Sequence, residues 1–330
     1  MADMTPQYEF PGRLPGLNRS FRRSSGVASP CLFGMSDARL TTQQLAELHL
    51  HLEGTIGRET ALILSAQNGL PEPPPYEYSD LAGFLAVYGQ VSRCMVTSQD
   101  FERVIFEHGE AMASQHITYA EISFNPSLHA ADGWIDGVVR GRASVAREFG
   151  IEISWLVELV RGGAAADNER ALDIALTTEG VVGVGLVGDE SISAAPLAGL
   201  VERARAAGLG FMPHAGQVGG PEVVREAVEV LGATRVAHGV GAEHDTEVLR
   251  LLVDRGVCLC VCPSSNERIG LKPNFRKFAD LGIPLVVNTD DPAMVPTTLQ
   301  RELAVAETSH GLNRGALTAA AWRHRFGRHP

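Results

Sequence analysis

The sequence has little of what marks a membrane protein or a nucleic-acid-binding protein. Its longest apolar runs, such as residues 181–187, are far shorter than the roughly 18 to 20 residues that a membrane-spanning helix needs. Basic residues are scarce, since 28 Lys and Arg stand against 39 Asp and Glu, for a formal charge of −11. This acidic balance argues against a nucleic-acid backbone or an anionic membrane surface as the main partner.

Cysteine is also scarce, and its placement argues against a disulfide framework. The chain has five cysteines, and Cys258, Cys260 and Cys262 alternate within one short apolar stretch, as small core residues would. Residues 1–34 lack the apolar segment of a secretory signal. We therefore expect a cytoplasmic protein with a flexible tail over residues 1–40, in which Met35 would serve as well as Met1 for a chain start.

The rest of the chain, residues 41–330, alternates short apolar stretches rich in β-branched residues with longer helical patterns. Eight such stretches are predicted strands: 45–52, 117–124, 151–160, 181–187, 208–213, 235–239, 257–262 and 284–288. Strands that alternate with helices pair in parallel. Eight of them favour a closed (β/α)₈ TIM barrel, of the α/β class, over an open doubly wound sheet. No G-x-G-x-x-G turn follows the first strand, which argues against a dinucleotide-binding fold.

The connection between the first two strands is too long for one crossover helix. It holds the helical patterns 59–68 and 81–91 and a proline-rich turn at 71–75. We predict a helical insertion over about 57–115 that covers one mouth of the barrel. Another helix is predicted to begin at Asp100, and Asp245 is a predicted N-cap for a helix over 246–255.

Polar residues gather where the predicted strands end, which is where a barrel of this kind carries its active site. His49 and His51 are two apart on one strand, so both side chains point to the same face. On its own this pair would be explained more simply as half-buried strand residues without a metal. Together with His214 and Asp290 at two other strand ends, it forms an N₃O set of the kind that holds a catalytic zinc. His238 ends a further strand.

These motifs, taken together, resemble the adenosine deaminase family. The quoted segments, which span residues 45 to about 305, are ELHLHLEGT (47–55), GDE (188–190), HAG (214–216), VAHG (236–239), CPSSN (262–266) and NTDDP (288–292). The resemblance implies a hydrolytic deaminase with one zinc per chain, held by His49, His51, His214 and Asp290. It also implies that His238 orients the attacking hydroxide, and that Asp291 and the backbone of Gly188 bind a purine ring.

One residue departs from the family pattern. The family has a catalytic glutamate after His-Ala-Gly, which protonates the ring nitrogen, and this chain has Gln217. An amide donates a hydrogen bond but gives up no proton, and loss of a general acid costs about 10² to 10⁴ in rate. Three explanations stay open: an engineered replacement, a substrate that brings its own N–H, or a purine-binding protein that retains the metal.

The expected substrate is a purine nucleoside or a related amino-heterocycle. The segment with Glu53 resembles the adenine and aminodeoxyfutalosine deaminase branches of the family, since the adenosine branch has aspartate at this position. Glu53 is therefore a candidate for binding a sugar hydroxyl or a ring substituent. No Arg or Lys cluster near the strand ends matches a phosphate. A two-metal hydrolase would need a bridging lysine or acid on strand four, where Asp189 and Glu190 belong to the deaminase motif instead. The sequence leaves the oligomeric state and the natural substrate open.

Overall fold

The computed structural model describes residues 44–129 and 133–327. The predicted tail over residues 1–40, with its two candidate starts, lies outside the described residues. The (β/α)₈ barrel is confirmed, with one parallel sheet in the strand order β1 to β8. Its strands are β1 (Leu45–His51), β2 (Ile117–Phe124), β3 (Glu152–Val160), β4 (Val181–Val187), β5 (Gly210–Ala215), β6 (Arg235–His238), β7 (Cys258–Val261) and β8 (Leu285–Val287).

The strands consist mostly of buried residues, as expected for a sheet that is covered on both faces. Every residue of β1 and of β7 is buried. The seam between the last and the first strand is closed by an isolated bridge between Leu50 and Asp290. At this seam the N–H of His51 donates to the carbonyl of Asp290 at 3.0 Å, and the N–H of Asp290 donates to the carbonyl of His49 at 3.1 Å.

Helices surround the barrel and also fill the long first connection. Within the described residues they are α1 (Arg58–Gln67), α2 (Leu81–Ser92), α3 (Ser98–Ser114), α4 (Trp134–Phe149), α5 (Ala165–Thr177), α6 (Ala198–Ala206), α7 (Pro221–Glu229), α8 (Thr246–Arg255), α9 (Pro263–Arg268), α10 (Phe275–Asp280), α11 (Leu299–His310) and α12 (Arg314–His324). The first three lie between β1 and β2, where the sequence predicts an insertion. None of the described helices is long and apolar enough to cross a bilayer.

Two helix starts show how local chemistry sets the boundaries. Asp245 caps α8 as predicted, since its carboxylate accepts the N–H groups of Glu247 and Val248. The prediction that Asp100 opens α3 is wrong. Thr97 is the N-cap, and Asp100 is its partner in a capping box, with each side chain accepting the other residue's N–H. An acidic residue at the third helical position therefore marks a helix that began earlier.

A buried ion pair inside the barrel holds the short segment that follows α12. Arg235 on β6 bonds to Glu121 on β2, and both side chains are almost fully buried. Glu121 also accepts the hydroxyl of Tyr119 at 2.8 Å and the N–H of Phe326. The guanidinium of Arg235 lies 3.8 Å from the centre of the Phe326 ring. Together these contacts fix the segment after α12 against the barrel.

A buried histidine on α3 predicts a pH dependence of stability. Burial lowers the pKa of His108 to about 4, and its Nε2 has no hydrogen-bond partner among the described residues. As the pH falls below about 6.5, the unfolded chain takes up a proton here that the folded chain refuses, so stability falls until about pH 4. We expect His108→Gln to remove about 2 to 3 kcal/mol of the acid-induced loss in unfolding free energy, measured by urea titration at pH 7.5 and 4.5.

The control for this experiment is His244→Gln, because the His244 side chain is 88% exposed. It should show the same pH dependence as the parent protein. Identical pH dependence in the His108 variant and the parent would contradict the assignment of this loss to His108.

Candidate active site

Four of the predicted site residues converge at the carboxyl end of the barrel. The Nε2 atom of His214 on β5 lies 3.1 Å from Nε2 of His49 and 3.2 Å from Nε2 of His51, both on β1. Oδ1 of Asp290, which follows β8, lies 3.2 Å from Nε2 of each β1 histidine. Three imidazole nitrogens and one carboxylate oxygen therefore point at one another in a buried place.

His238 at the end of β6 completes this cluster. Its Nε2 lies 3.8 Å from Oδ2 of Asp290 and has no hydrogen-bond partner among the described residues. Its Nδ1 lies 3.1 Å from Oδ1 of Asn266, which is fit to accept the ring N–H. Burial lowers the pKa of His238 to about 4. The ring is therefore held neutral, with an unprotonated Nε2 aimed into the site.

Backbone geometry aims two of these side chains. His238 has a φ of 63° and Asp290 a φ of 68°, in the left-handed region that few residues other than glycine adopt. Such backbone strain persists only where surrounding contacts hold it, and it is common at functional sites. For Asp290 the holding contacts are the two seam hydrogen bonds with β1.

Hydrogen bonds on the far side of the rings fix their orientation. Nδ1 of His214 lies 3.1 Å from the carbonyl of Leu186, so its N–H has an acceptor and its Nε2 lone pair is left for the cluster. The hydroxyl of Ser265 donates to Oδ2 of Asp290 at 2.7 Å. Although burial acts to raise the pKa of Asp290, the nearby imidazoles of His49 and His51 hold it well below its usual range. The carboxylate is therefore ionised.

The donor set fits a divalent cation. His49, His214, His238 and Asp290 form one group whose ligand atoms lie within 4.8 Å of one another, and His51, Asp290 and Asp291 form a second. Neutral imidazoles and carboxylates are zinc ligands, and a buried carboxylate among histidines is stabilised by a shared cation. The two groups share Asp290, so they describe one polar centre.

Asp291 stands beside this centre in a space left by a glycine. A Cβ at Gly54 would lie 1.9 Å from Oδ1 of Asp291, so any side chain there would displace the carboxylate. Oδ1 of Asp291 has no hydrogen-bond partner among the described residues. Burial and the adjacent Asp290 raise the pKa of Asp291 well above its usual range. The group is thus an unused polar group at the site.

Gln217 and its loop are held by one carboxylate. Glu190 accepts the backbone N–H groups of Gln217 at 3.1 Å, Val218 at 3.0 Å and Gly219 at 2.5 Å. The Gln217 side chain lines a small recess whose other walls are Tyr78, Leu81, Phe84, Ser265, Ile269 and Val295. Ser265, one of these residues, also donates to Oδ2 of Asp290. Gly188, with φ of 106°, directly follows β4 and lies close to the backbone of Arg161.

Glu53 is fully buried and already has protein donors. Oε1 lies 3.0 Å from the N–H of Asn125 and 2.9 Å from Nε2 of His129, and Oε2 accepts the hydroxyl of Tyr88 at 3.2 Å. Tyr88 belongs to α2, so the inserted helix is tied to the end of β1 through this carboxylate. A contact of Glu53 with a substrate group stays a prediction.

Comparison with known proteins agrees with this architecture. The family model described as adenosine deaminase matches residues 44–323. An adenine deaminase of Chlorobium phaeobacteroides is 32% identical over 75% of this chain and 80% of its own. An aminodeoxyfutalosine deaminase of Streptomyces coelicolor is 32% identical over 84% of this chain and 77% of its own. The crystal structure of an adenine deaminase from Arthrobacter aurescens superposes with a TM-score of 0.80, at 28% identity, over 86% of this chain and 94% of that one.

The chain belongs to the adenosine deaminase family. It is therefore a hydrolase-type deaminase of the TIM-barrel fold, related to enzymes of purine chemistry. Gln217 lies two residues after the end of β5 and lines the small recess described above.

Several residues that contact this site were given no individual role in the sequence analysis. Glu158 on β3 is buried with Oε1 2.8 Å from Nδ1 of His51. His129 lies in the loop after β2 and pairs with Glu53. Asn266 and Ser265, at the start of α9, contact His238 and Asp290. A charged residue inside an otherwise apolar strand was the available signal for Glu158, whereas His129 carries no local signal.

The Glu190 contacts predict how the Gln217 loop responds to mutation. Hydrogen bonds to a charged acceptor are worth about 1.5 to 3 kcal/mol each. We expect Glu190→Ala to speed amide hydrogen exchange at residues 217–219 by about tenfold or more, measured by mass spectrometry. The matched control is Asp189→Ala. The carboxylate of Asp189 accepts the N–H of Ser191, whereas the amides of residues 217–219 donate to Glu190. Unchanged exchange in the Glu190 variant would contradict the holding role.

Proposed function

We propose that this protein is a zinc-dependent hydrolytic deaminase that acts on a purine or a related amino-heterocycle. The observation that carries the proposal is the convergence of three imidazole Nε2 atoms and Asp290 Oδ1, at 3.1 to 3.2 Å, beside the free Nε2 of His238. Such a set holds one zinc and leaves a position open for water, as catalytic zinc sites do. We propose His49, His51, His214 and Asp290 as the ligands.

The chemistry divides between the metal and the protein. When bound, zinc supplies a water molecule whose pKa is lowered to about 7 and which is therefore a nucleophile at neutral pH. His238 has its Nδ1 proton engaged by Asn266, so its Nε2 can accept a proton or a hydrogen bond from that water. Oδ2 of Asp290 accepts the hydroxyl of Ser265 and lies 3.8 Å from Nε2 of His238, so the carboxylate is held beside the His238 ring.

Ring recognition is assigned to Asp291 and to the backbone of Gly188. Asp291 has an unpartnered oxygen at the site, and a raised pKa lets it donate a hydrogen bond to a ring nitrogen. Gly188 directly follows β4 at the same end of the barrel, and its backbone offers an N–H and a carbonyl without a side chain. The relatives named adenine deaminase and aminodeoxyfutalosine deaminase support a purine-type substrate.

Gln217 restricts which ring the site can process. Attack at the amine-bearing carbon pushes electrons onto the adjacent ring nitrogen, and the amide of Gln217 cannot protonate it. A ring that already bears N–H at that position would instead donate to the Gln217 carbonyl oxygen. We therefore propose a non-adenosine amino-heterocycle as the preferred substrate. The same residue favours a second candidate function, a purine-binding protein that keeps the metal without turnover.

The metal assignment predicts zinc stoichiometry. The purified protein should bind about one zinc per chain, and His49→Ala should lose most of it. Zinc at 100 times its Kd should raise the unfolding free energy by about 2.7 kcal/mol, so chelation should lower the Tm. Elemental analysis and thermal unfolding measure both effects, with His244→Ala as the control. Full zinc occupancy in a His49→Ala, His214→Ala double variant would contradict the ligand set.

The second prediction concerns the missing proton donor. Gln217→Glu should raise deamination of adenine, adenosine or a 5′-modified adenosine by about 10² or more, because it restores a general acid. Gln217→Met is the control, since it changes the residue without supplying a proton, and it should give no gain. The measurement is ammonia release and product mass across a panel of aminopurines and pteridines.

The sign of the change separates the candidate functions. If the natural substrate carries its own N–H, Gln217→Glu should lower turnover of that substrate, because an ionised carboxylate replaces a neutral acceptor. Tight purine binding without turnover in every variant would support the binding protein and contradict the deaminase. Equal gains from Gln217→Met and Gln217→Glu would contradict the general-acid argument.

A further inference from the structure

A buried carboxylate on β3 contacts the candidate metal centre from behind. Oε1 of Glu158 lies 2.8 Å from Nδ1 of His51, and the two side chains are 3% and 8% exposed. Oε1 has no hydrogen-bond partner among the described residues, so the 2.8 Å contact is an ion pair that lacks hydrogen-bond alignment. A carboxylate removed from water needs a compensating donor, and the Nδ1–H of His51 is the donor within reach.

The interior of the barrel has been left open for this side chain. Glu158 stands opposite Gly185 in the register of β3 and β4. A Cβ at Gly185 would lie 3.3 Å from Cγ of Glu158, closer than most carbon contacts allow. On the same strand Leu156 packs in the barrel core, so Glu158 is the next inward-facing position toward the candidate site.

A second acceptor competes for the same ring nitrogen. Oγ of Ser123 lies 3.3 Å from Nδ1 of His51, but its own proton goes to the carbonyl of Leu50 at 2.9 Å. Oε1 of Glu158 is closer to Nδ1 of His51, at 2.8 Å against 3.3 Å for Oγ of Ser123. It also carries charge, and charge-assisted hydrogen bonds are about twice as strong as neutral ones. The carboxylate is therefore the nearer and the stronger acceptor for the Nδ1–H.

We propose that Glu158 is a positioning residue that fixes His51 with its proton on Nδ1 and its Nε2 lone pair toward the metal. Nε2 of His51 already lies 3.2 Å from both His214 and Asp290, so the ring needs no rotation to serve as a ligand. A carboxylate behind a ligating histidine raises its basicity and orients it, and its loss weakens metal binding about 10- to 100-fold. This inference rests on the metal site proposed above.

The test is zinc affinity, measured by competition with a fluorescent chelator on the full-length protein. We expect Glu158→Ala to weaken zinc binding by about 10- to 100-fold. Glu158→Gln should recover much of the loss, because its amide oxygen accepts the same N–H. Ser123→Ala should change affinity by less than about threefold, and Glu152→Ala, at the other end of the same strand, serves as the matched control.

Nuclear magnetic resonance of the zinc-loaded protein gives a readout that a merely structural role would not move. A downfield Nδ1 proton of His51 should be present in the parent, shifted upfield in Glu158→Gln and absent in Glu158→Ala. The Gln variant preserves shape, so it tests the proposal even if Glu158→Ala fails to fold.

The outcomes separate this inference from the proposed function. Parent-like zinc affinity in Glu158→Ala, or an unshifted His51 proton in Glu158→Gln, overturns the role of Glu158 and leaves the metal site standing. A larger loss in Ser123→Ala than in Glu158→Ala assigns the positioning to Ser123 and also overturns it. A parent protein that binds no zinc overturns the metal site itself and this inference with it.

Discussion

Two backbone hydrogen bonds at the seam between β1 and β8 are the constraint on which the rest of the site depends. They join His51 to Asp290 at 3.0 Å and Asp290 to His49 at 3.1 Å, and they complete the barrel. The same bonds hold Asp290 in its left-handed conformation, so its carboxylate faces both histidines of β1. Closure of the barrel and the geometry of the polar centre therefore depend on the same two hydrogen bonds.

The site is buried, so each polar atom in it needs a partner, and those partners come from neighbouring strands. His214 is oriented from β4, His238 from the start of α9 and His51 from β3. Unsatisfied polar groups are costly in such an interior, which is why the remaining free atoms are informative. Two of them, Nε2 of His238 and Oδ1 of Asp291, have no hydrogen-bond partner among the described residues, and we propose that they bind water and a ring.

The sequence predicted the fold because its strands follow from local patterns. Apolar β-branched runs predicted the strands, and His49 and His51 share a face because they are two apart. Glu158 and His129 could not be found in this way, since each meets its partner through the barrel across a large separation in sequence. The start of α3 was misplaced because Asp100 and Thr97 are both capping residues, and only their mutual geometry shows which one is the cap.

We propose that nitrogen and oxygen atoms alone hold the metal. Cys262 makes this testable, because its Sγ lies 3.4 Å from Nδ1 of His49 and thiolates are strong zinc ligands. Zinc K-edge X-ray absorption of the reconstituted protein measures the bound atoms directly. We predict a first coordination shell of nitrogen and oxygen atoms at about 2.0 to 2.2 Å from the zinc, with imidazole scattering beyond it. A sulfur shell at about 2.3 Å would contradict it.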